Sequence, residues 1–274
     1  MAKILAFINM KGGVGKTTLA VNAAYTLAKI EKKKILLIDM DPQMNATQYT
    51  LSEDQVEEII NDRSKSVFGF LSSEYKVSAT QKSYSSPSTV EKFIFPVEDV
   101  FDIIPSSLDI MKLNLTESPF KLRQYITENL NSKYDIIILD CPPTISAYTK
   151  ISLLAADMYL VPMKADSLSL FGLPMLQSYI SDTIEGEFEH KIEFVGIILN
   201  MVNSSRLLYK KIKPQILKEW KTKLFTNEIF QRECIIKGLD GSFETKKYII
   251  DMDDPILVDQ MKNVTKEILQ KGRI

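Results

Sequence analysis

Six short runs of apolar, mostly β-branched residues set the fold class before any motif is considered: KILAFIN (3–9), KILLID (34–39), DIIP (102–105), YDIIILD (134–140), MYLVPM (158–163) and IEFVGIILN (192–200). A strand that is apolar at nearly every position is buried on both faces, so its sheet must be mainly parallel and covered by helices on each side. Helical patterns separate the runs, which predicts a doubly wound α/β fold. The first helix is expected to run through TTLAVNAAYTLAKI (17–30), with Leu19, Ala23, Leu27 and Ile30 on one stripe. The turn Lys32 to Lys34 suits its C-terminal end.

The chain has 274 residues and is 45% hydrophobic, enough for one substantial core, so a single domain over residues 1–274 is expected. Residues 61–95 break the pattern. They are polar and serine-rich, with one short helix expected near Phe68 to Leu71, and read as a surface excursion. From about residue 204 the pattern is mostly helical: Leu208, Ile212, Ile216, Trp220 and Leu224 recur every four residues, and Pro214 is expected to kink that helix or divide it.

A formal net charge of −1 gives no global attraction to nucleic acid or membrane, so any such contact must come from a local patch. The apolar start of the chain meets a glycine-rich loop before it could form a signal-peptide core, and no run approaches the roughly 18 residues of a membrane span. Two cysteines, Cys141 and Cys234, are too few for a disulfide framework or a thiolate metal set. A reduced, cytoplasmic protein is expected.

Between the first strand and the first helix stands KGGVGKTT (11–18), which is G-x-x-x-x-G-K-[ST] with Met10 in the place of the first glycine. Gly12, Gly13 and Gly15 let backbone N–H groups converge on phosphate oxygens, and the helix N-terminus adds its positive end. The whole loop, Lys11, Gly12, Gly13, Val14, Gly15, Lys16, Thr17 and Thr18, is expected to hold ATP. Lys16 would reach the β and γ phosphates, and the Thr17 hydroxyl would ligate Mg²⁺.

A Mg–nucleotide site also needs carboxylates at the C-terminal ends of neighbouring strands. IIILDCPP ends a strand in Asp140, expected to hold Mg²⁺ through water. ILLIDMDPQMNAT ends another in Asp39 and Asp41, with Pro42 stopping the strand. Asp41 is a further metal candidate, and Asp39 alone also fits a cap or turn former. His190 lies in a charged stretch that reads as surface, and Cys141, with no histidine beside it, reads as a small buried residue. Neither is read as a nucleophile or general base.

Taken together these residues resemble the deviant Walker A ATPases of the ParA/MinD superfamily, and most of all the ParA-type DNA-partition ATPases. KGGVGKTT, DMDPQMNAT and LDCPP match in order and spacing; VPMKADSLSLFGL (161–173) and IILNMVN (197–203) are similar to later segments. The resemblance covers about residues 1–205 well. It implies a P-loop NTPase-like fold and an ATP-bridged homodimer in which Lys11 crosses to the nucleotide of the second subunit, as an arginine finger does. It makes Lys11, Lys16 and Asp41 the catalytic set, with Asp41 in the first switch loop orienting the attacking water. It assigns Asn200 to reading adenine, through an amide that can donate and accept. It further implies an ATP dimer that binds double-stranded DNA without sequence preference, and a ParB-type centromere-binding protein that stimulates slow hydrolysis and release. The protein would be nucleoid-associated when ATP-bound.

DNA binding of that kind needs a basic surface. The candidate is RLLYKKIKPQILKEWKTK (206–223), with Arg206, Lys210, Lys211, Lys213, Lys218, Lys221 and Lys223 against Glu219. Arg206, Lys210 and Lys213 are expected on one helical side; the plainer alternative is a solvated amphipathic helix. FQRECIIKGLDGSFETKKYIIDM (230–252) lacks the family's proline-containing, Ser-Glu-Ala-Pro-like stretch, so no role is carried over there, although Arg232 and Lys237 add charge.

Two rival readings stay open. One is a MinD-like positioning ATPase reaching membrane through a C-terminal amphipathic helix, for which DQMKNVTKEILQKGRI (259–274) offers the rough stripe Met261, Val264, Ile268 and Leu269 without bulky aromatics. The other is a nucleotide-gated adaptor that binds a protein and no DNA. An electron carrier like the nitrogenase reductase is disfavoured, since the two cysteines do not offer its cluster-ligand pattern. No membrane partner is expected.

Overall fold

A computed structural model describes residues 1–72, 90–115, 118–239 and 246–274. The strands are β1 Lys3–Phe7, β2 Ile35–Asp39, β3 Phe95–Val97, β4 Phe101–Ile104, β5 Ile136–Asp140, β6 Met158–Met163 and β7 Glu193–Leu199. They form one seven-stranded sheet in the order β3-β4-β2-β5-β1-β6-β7. Every pairing is parallel except that of β3 with β4. The six apolar runs are therefore all strands. The seventh, β3, has only three residues and carries Pro96; on the sheet edge a missing N–H breaks no ladder bond.

Successive side chains alternate between two cores, which is why the strands are apolar throughout. In β1, Ile4 and Ala6 enter one core and Leu5 and Phe7 the other; in β5, Ile137 and Leu139 oppose Ile136 and Ile138. The helices are α1 Lys16–Lys29, α2 Asn45–Thr50, α3 Glu53–Asn61, α4 Val67–Leu71, α5 Lys121–Asn129, α6 Ala147–Ala155, α7 Ser167–Tyr179, α8 Leu207–Trp220, α9 Glu233–Leu239 and α10 Pro255–Gly272. α1, α2 and α10 pack on the face of Leu5 and Phe7, and α4 to α8 on the face of Ile4 and Ala6. Of the excursion, α4 is the short helix expected near Phe68 to Leu71; residues 73–89 lie outside the described residues.

One expectation needs correction and two alternatives are narrowed. α1 has no single buried stripe: Leu19 through Ala28 are all buried, enclosed by the sheet, α2 and α10, while Ile30 lies past the helix end and is 40% exposed. α8 runs unbroken through Pro214. That residue faces solvent, where water can serve the carbonyl it leaves without a donor. The apolar stripe of α10 is not a free surface, because Met261, Val264 and Ile268 are fully buried against the core. Among the described residues no helix is long and apolar enough to cross a membrane.

After α8 the chain doubles back along β7. Ile197 N donates to Lys223 O and Phe225 N to Ile197 O, both at 2.8 Å; further on, Ile229 N bonds Leu199 O at 3.0 Å and Gln231 N bonds Val202 O at 2.9 Å. Gly196 permits the approach, since a Cβ there would lie 2.1 Å from Lys223 O. This zipper carries residues 229–236 to the C-terminal ends of the strands. There Asp140 stands in register with Phe7 on one side and Asp39 on the other, so the loop after β1 and the carboxylates of β2 and β5 share one crevice.

Candidate functional site

The loop between β1 and α1 is shaped by two left-handed glycines, Gly13 (φ 68°) and Gly15 (φ 73°). Gly15 has a second constraint: a Cβ there would sit 2.6 Å from Asn200 Nδ2. No side chain caps α1, and its first turn has no acidic residue. Its orphan N–H groups and positive end are open to an anion.

Lys16 is 6% exposed and lies 2.9 Å from Oδ1 of the fully buried Asp140. Burial works against the Lys16 charge, but the Asp140 carboxylate outweighs it by attraction and hydrogen bonding, and the ammonium titrates above its usual range. Asp140 Oδ2 is buried without a hydrogen-bond partner. A buried carboxylate oxygen of this kind wants a cation or a donor, so the Asp140 end of the crevice fits the Mg²⁺ expected there, with Thr17 half-buried on the adjoining loop.

Asp39 is fully buried and accepts three hydrogen bonds: from Asp41 N (3.1 Å), Thr47 N (2.9 Å) and Thr47 Oγ1 (2.7 Å). It is a cap supplied from a distance, fixing the first turn of α2 to the end of β2. Thr47 Oγ1 in turn accepts from Ser106 N at 2.9 Å, beyond β4. Burial, then the nearby Asp140, pushes the Asp39 carboxyl up to about 7 against these donors. Asp41 is also buried; its Oδ1 accepts from Gln43 N at 3.0 Å, and desolvation raises its carboxyl despite that bond and Lys16.

The cleft above these groups has a volume of about 380 Å³ and is lined by Lys11 through Thr18, Asp41, Pro143 and three residues of α2: Asn45, Gln48 and Tyr49. Those three were not singled out from the sequence. Their spacing of i, i+3 and i+4 just after Asp41 is the signal that one helical face looks into the cleft. Tyr49 also ties α2 to the far end of the chain: its hydroxyl accepts from Asn22 Nδ2 and donates to Lys247 O, both at 2.9 Å. Ile249 N donates to Asn22 Oδ1 at 2.7 Å, and Tyr248 stacks on Tyr25 with centroids 3.7 Å apart.

A second cavity of about 230 Å³ opens on the other side of Gly13, Gly15 and Thr18, lined by Leu19, Asn200, Met201, Ile229 through Arg232, Ile235, Ile236 and Ile249. Asn200 Nδ2 donates to Val14 O (2.9 Å) and Gly15 O (3.1 Å). Both acceptors are carbonyls, which fixes the amide orientation, and its NH₂ is spent on the loop. Its Oδ1 is left as an acceptor.

Lys11 is placed differently from its neighbours. Its ammonium pairs with Asp166 at the start of α7 in the same chain. On the basic helix, Arg206, Lys210, Lys211, Lys218 and Lys221 are exposed. Lys213, its side chain 39% exposed, is paired with Glu228 Oε1 at 2.7 Å and Tyr209 Oη at 2.9 Å. Lys223 bonds Phe194 O. Cys141 is fully buried, and burial pushes its thiol up to about 12. His190 is half-buried rather than on the open surface, with Nε2 2.8 Å from Ala156 O and its ring edge-on to Phe120.

An AAA domain family model matches residues 2–194. The chromosome partitioning protein ParA of Myxococcus xanthus is 28% identical over 237 residues, covering 82% of this chain and 74% of its own. The chromosome-partitioning ATPase Soj of Thermus thermophilus is 29% identical over 223 residues, covering 81% and 78%. Among solved structures, a plasmid partition protein of Borrelia burgdorferi B31 bound to AMPPNP has the same fold, with a TM-score of 0.75 and 24% identity over 99% of this chain and 100% of that one. With its glycine loop, its strand-end carboxylates and these relatives, the chain belongs to the ParA/MinD superfamily of AAA-domain ATPases, and within it to the partition ATPase type.

Proposed function

We propose that this protein is an ATP-driven DNA-partition switch: Mg-ATP joins two copies through their nucleotide sites, the pair binds DNA without sequence preference, and hydrolysis, stimulated by a centromere-binding protein, releases it. The observation that carries the nucleotide assignment is the meeting of two unlike cavities at Gly13, Gly15 and Thr18. One is lined by backbone, Lys16 and Asp41 and suits a polyphosphate; the other is lined largely by apolar side chains and suits a base. Asn200 Oδ1, on a lining that also includes Gln231 and Arg232, is an acceptor that can take a hydrogen bond from the adenine amino group.

The residues then divide the work. Lys16 leaves Asp140 for the β and γ phosphates, exchanging one anion for another. Asp140 and the Thr17 hydroxyl would hold Mg²⁺, which when bound neutralises charge on the phosphate oxygens. Asp41, steadied by Gln43 N, accepts a hydrogen bond from the attacking water and orients it. Lys11 of the second copy supplies the extra cation that the spreading negative charge requires. Arg206, Lys210, Lys211, Lys218 and Lys221 form the basic face for DNA, and pairing doubles it. A membrane-positioning role is disfavoured, since the α10 stripe it would use is buried in the core.

The test is to size the Asp41→Ala protein with ATP, ADP or no nucleotide, and to repeat it with random double-stranded DNA. An ATP-dependent dimer that shifts DNA is expected; a dimer that ignores DNA would favour the protein adaptor.

A further inference from the structure

Asn22, on α1 and only 1% exposed, engages three segments with one amide. Its Nδ2 donates to Thr18 O at 2.8 Å and to Tyr49 Oη at 2.9 Å, and its Oδ1 accepts from Ile249 N at 2.7 Å. Tyr49 Oη passes the link on by donating to Lys247 O at 2.9 Å. Two of these partners are walls of different cavities: Tyr49 lines the cleft beside Asp41, and Ile249 lines the second cavity. Residues 247–251 are themselves held to α1, since Tyr248 stacks on Tyr25 and Asp251 takes Tyr25 Oη and Lys29 Nζ, both at 2.8 Å. On α2, Tyr49 comes two residues after Thr47, so the two side chains leave the short helix on nearly opposite sides. Asp39 holds the Thr47 side and Asn22 the Tyr49 side. Asp41 joins α2 through one tight turn, in which Met44 N donates to Asp41 O at 2.9 Å, so a shift of the helix is a shift of Asp41.

A buried amide whose NH₂ and carbonyl are both engaged leaves α2 and the 247–249 backbone little freedom to move separately. Resting on the reading of the second cavity as a base site, we propose that Asn22 and Tyr49 are positioning residues that make the placement of Asp41 depend on the base. A base packed against Ile249 fixes residues 247–249, these fix the Tyr49 hydroxyl, and α2 carries Asp41 to its place beside the phosphates. The adenosine half of ATP then contributes to the rate of hydrolysis as well as to affinity, because binding energy at a remote part of the substrate is used at the reacting centre. Inorganic triphosphate fills the cleft but leaves Ile249 uncovered, so α2 stays looser around it.

Tyr49→Phe removes the hydroxyl and keeps the ring, and Asn22→Ala cuts the same link from its other end. In the Asp41→Ala protein, backbone hydrogen exchange is compared with ATP and with inorganic triphosphate. ATP should slow exchange across α2 by about two- to tenfold more than triphosphate does, the worth of one hydrogen bond. In Tyr49→Phe that excess should vanish from α2 while ATP still slows exchange at Ile249 N; in Asn22→Ala it should vanish from α2 as well. With Asp41 present, Tyr49→Phe should lower kcat for ATP by about two- to tenfold and leave KM within about twofold. A hydroxyl that only braces the fold would loosen α2 by the same factor with either ligand, and that result overturns the coupling. An unchanged kcat overturns it too, as does a parent in which ATP protects Ile249 N but not α2. If ATP protects neither beyond triphosphate, the base reading of the second cavity fails and the coupling with it.

Discussion

The two ends of the proposed nucleotide site, phosphate and base, are built in opposite ways. The phosphate end is one uninterrupted stretch, Lys11 through Thr18, backed by strand ends that the parallel register brings level. The base end draws on Leu19, on Asn200 and Met201, on residues 229–236 and on Ile249, segments that meet only because the chain after α8 zips back along β7. A contiguous loop carries its chemistry wherever the strand and helix around it form, so a local pattern suffices to read it. An assembled cavity has no local pattern. The two ends meet at Gly13, Gly15 and Thr18, and the Asn200 amide holds Val14 and Gly15 from the second cavity.

The largest effect that should separate the ends is at Lys16. Lys16→Ala leaves the fully buried Asp140 without its counter-ion, which should cost the nucleotide-free protein about 3–5 kcal/mol. It should also weaken ATP by at least ~100-fold, because a charge-assisted hydrogen bond to phosphate is removed. Denaturant unfolding and calorimetric titration measure the two, and a nucleotide-free protein as stable as the parent would show that the pair contributes little. Asn200→Ala comes next. Removing its two loop bonds and the base acceptor should cost about 1–3 kcal/mol of ATP binding. Because the acceptor discriminates bases, ATP and GTP should then compete more nearly as equals.

At the base end alone, Ile235→Ala removes apolar cover and should weaken ATP by roughly 1 kcal/mol while leaving inorganic triphosphate binding unchanged. An equal weakening for both ligands would mean that the ends are not independent. The smallest effect lies outside the site. Changing Lys210 and Lys211 together to Gln should lower the slope of log affinity for DNA against log salt by up to about 0.9 for each phosphate that is no longer neutralised. Lys213→Gln, whose charge is already paired with Glu228, should not lower it.

The same contrast explains what could be read from the sequence. Six strands announced themselves because burial on both faces leaves almost no polar residue in them. β3 did not, being short, at the edge and interrupted by Pro96. α1 looked amphipathic, yet Ala20, Ala23, Ala24 and Ala28 are small enough to be enclosed from every side. Lys213 looked like its neighbours on the basic helix, and only the return of the chain past β7 brings Glu228 to it. Asp39 does close the local turn, through Asp41 N, but its second oxygen also holds Thr47 of α2, which no cap position in the sequence marks. Asn45, Gln48 and Tyr49 became visible as part of the cleft once α2 was known to turn that face inward. Each of these features depends on a partner distant in sequence or on an environment that no local pattern records.

The central claim is that the working unit is a pair, each copy lending Lys11 to the other's site. Mixing two inactive proteins tests this most directly. Lys11→Ala retains Asp41 but has no lysine to lend; Asp41→Ala has the lysine but cannot orient water in its own site. If Lys11 acts across the interface, hydrolysis should be absent in each alone and should return when they are mixed with ATP, since the mixed pair contains one complete site. A mixture as inactive as its parts, or a Lys11→Ala protein that hydrolyses ATP normally by itself, would contradict the account.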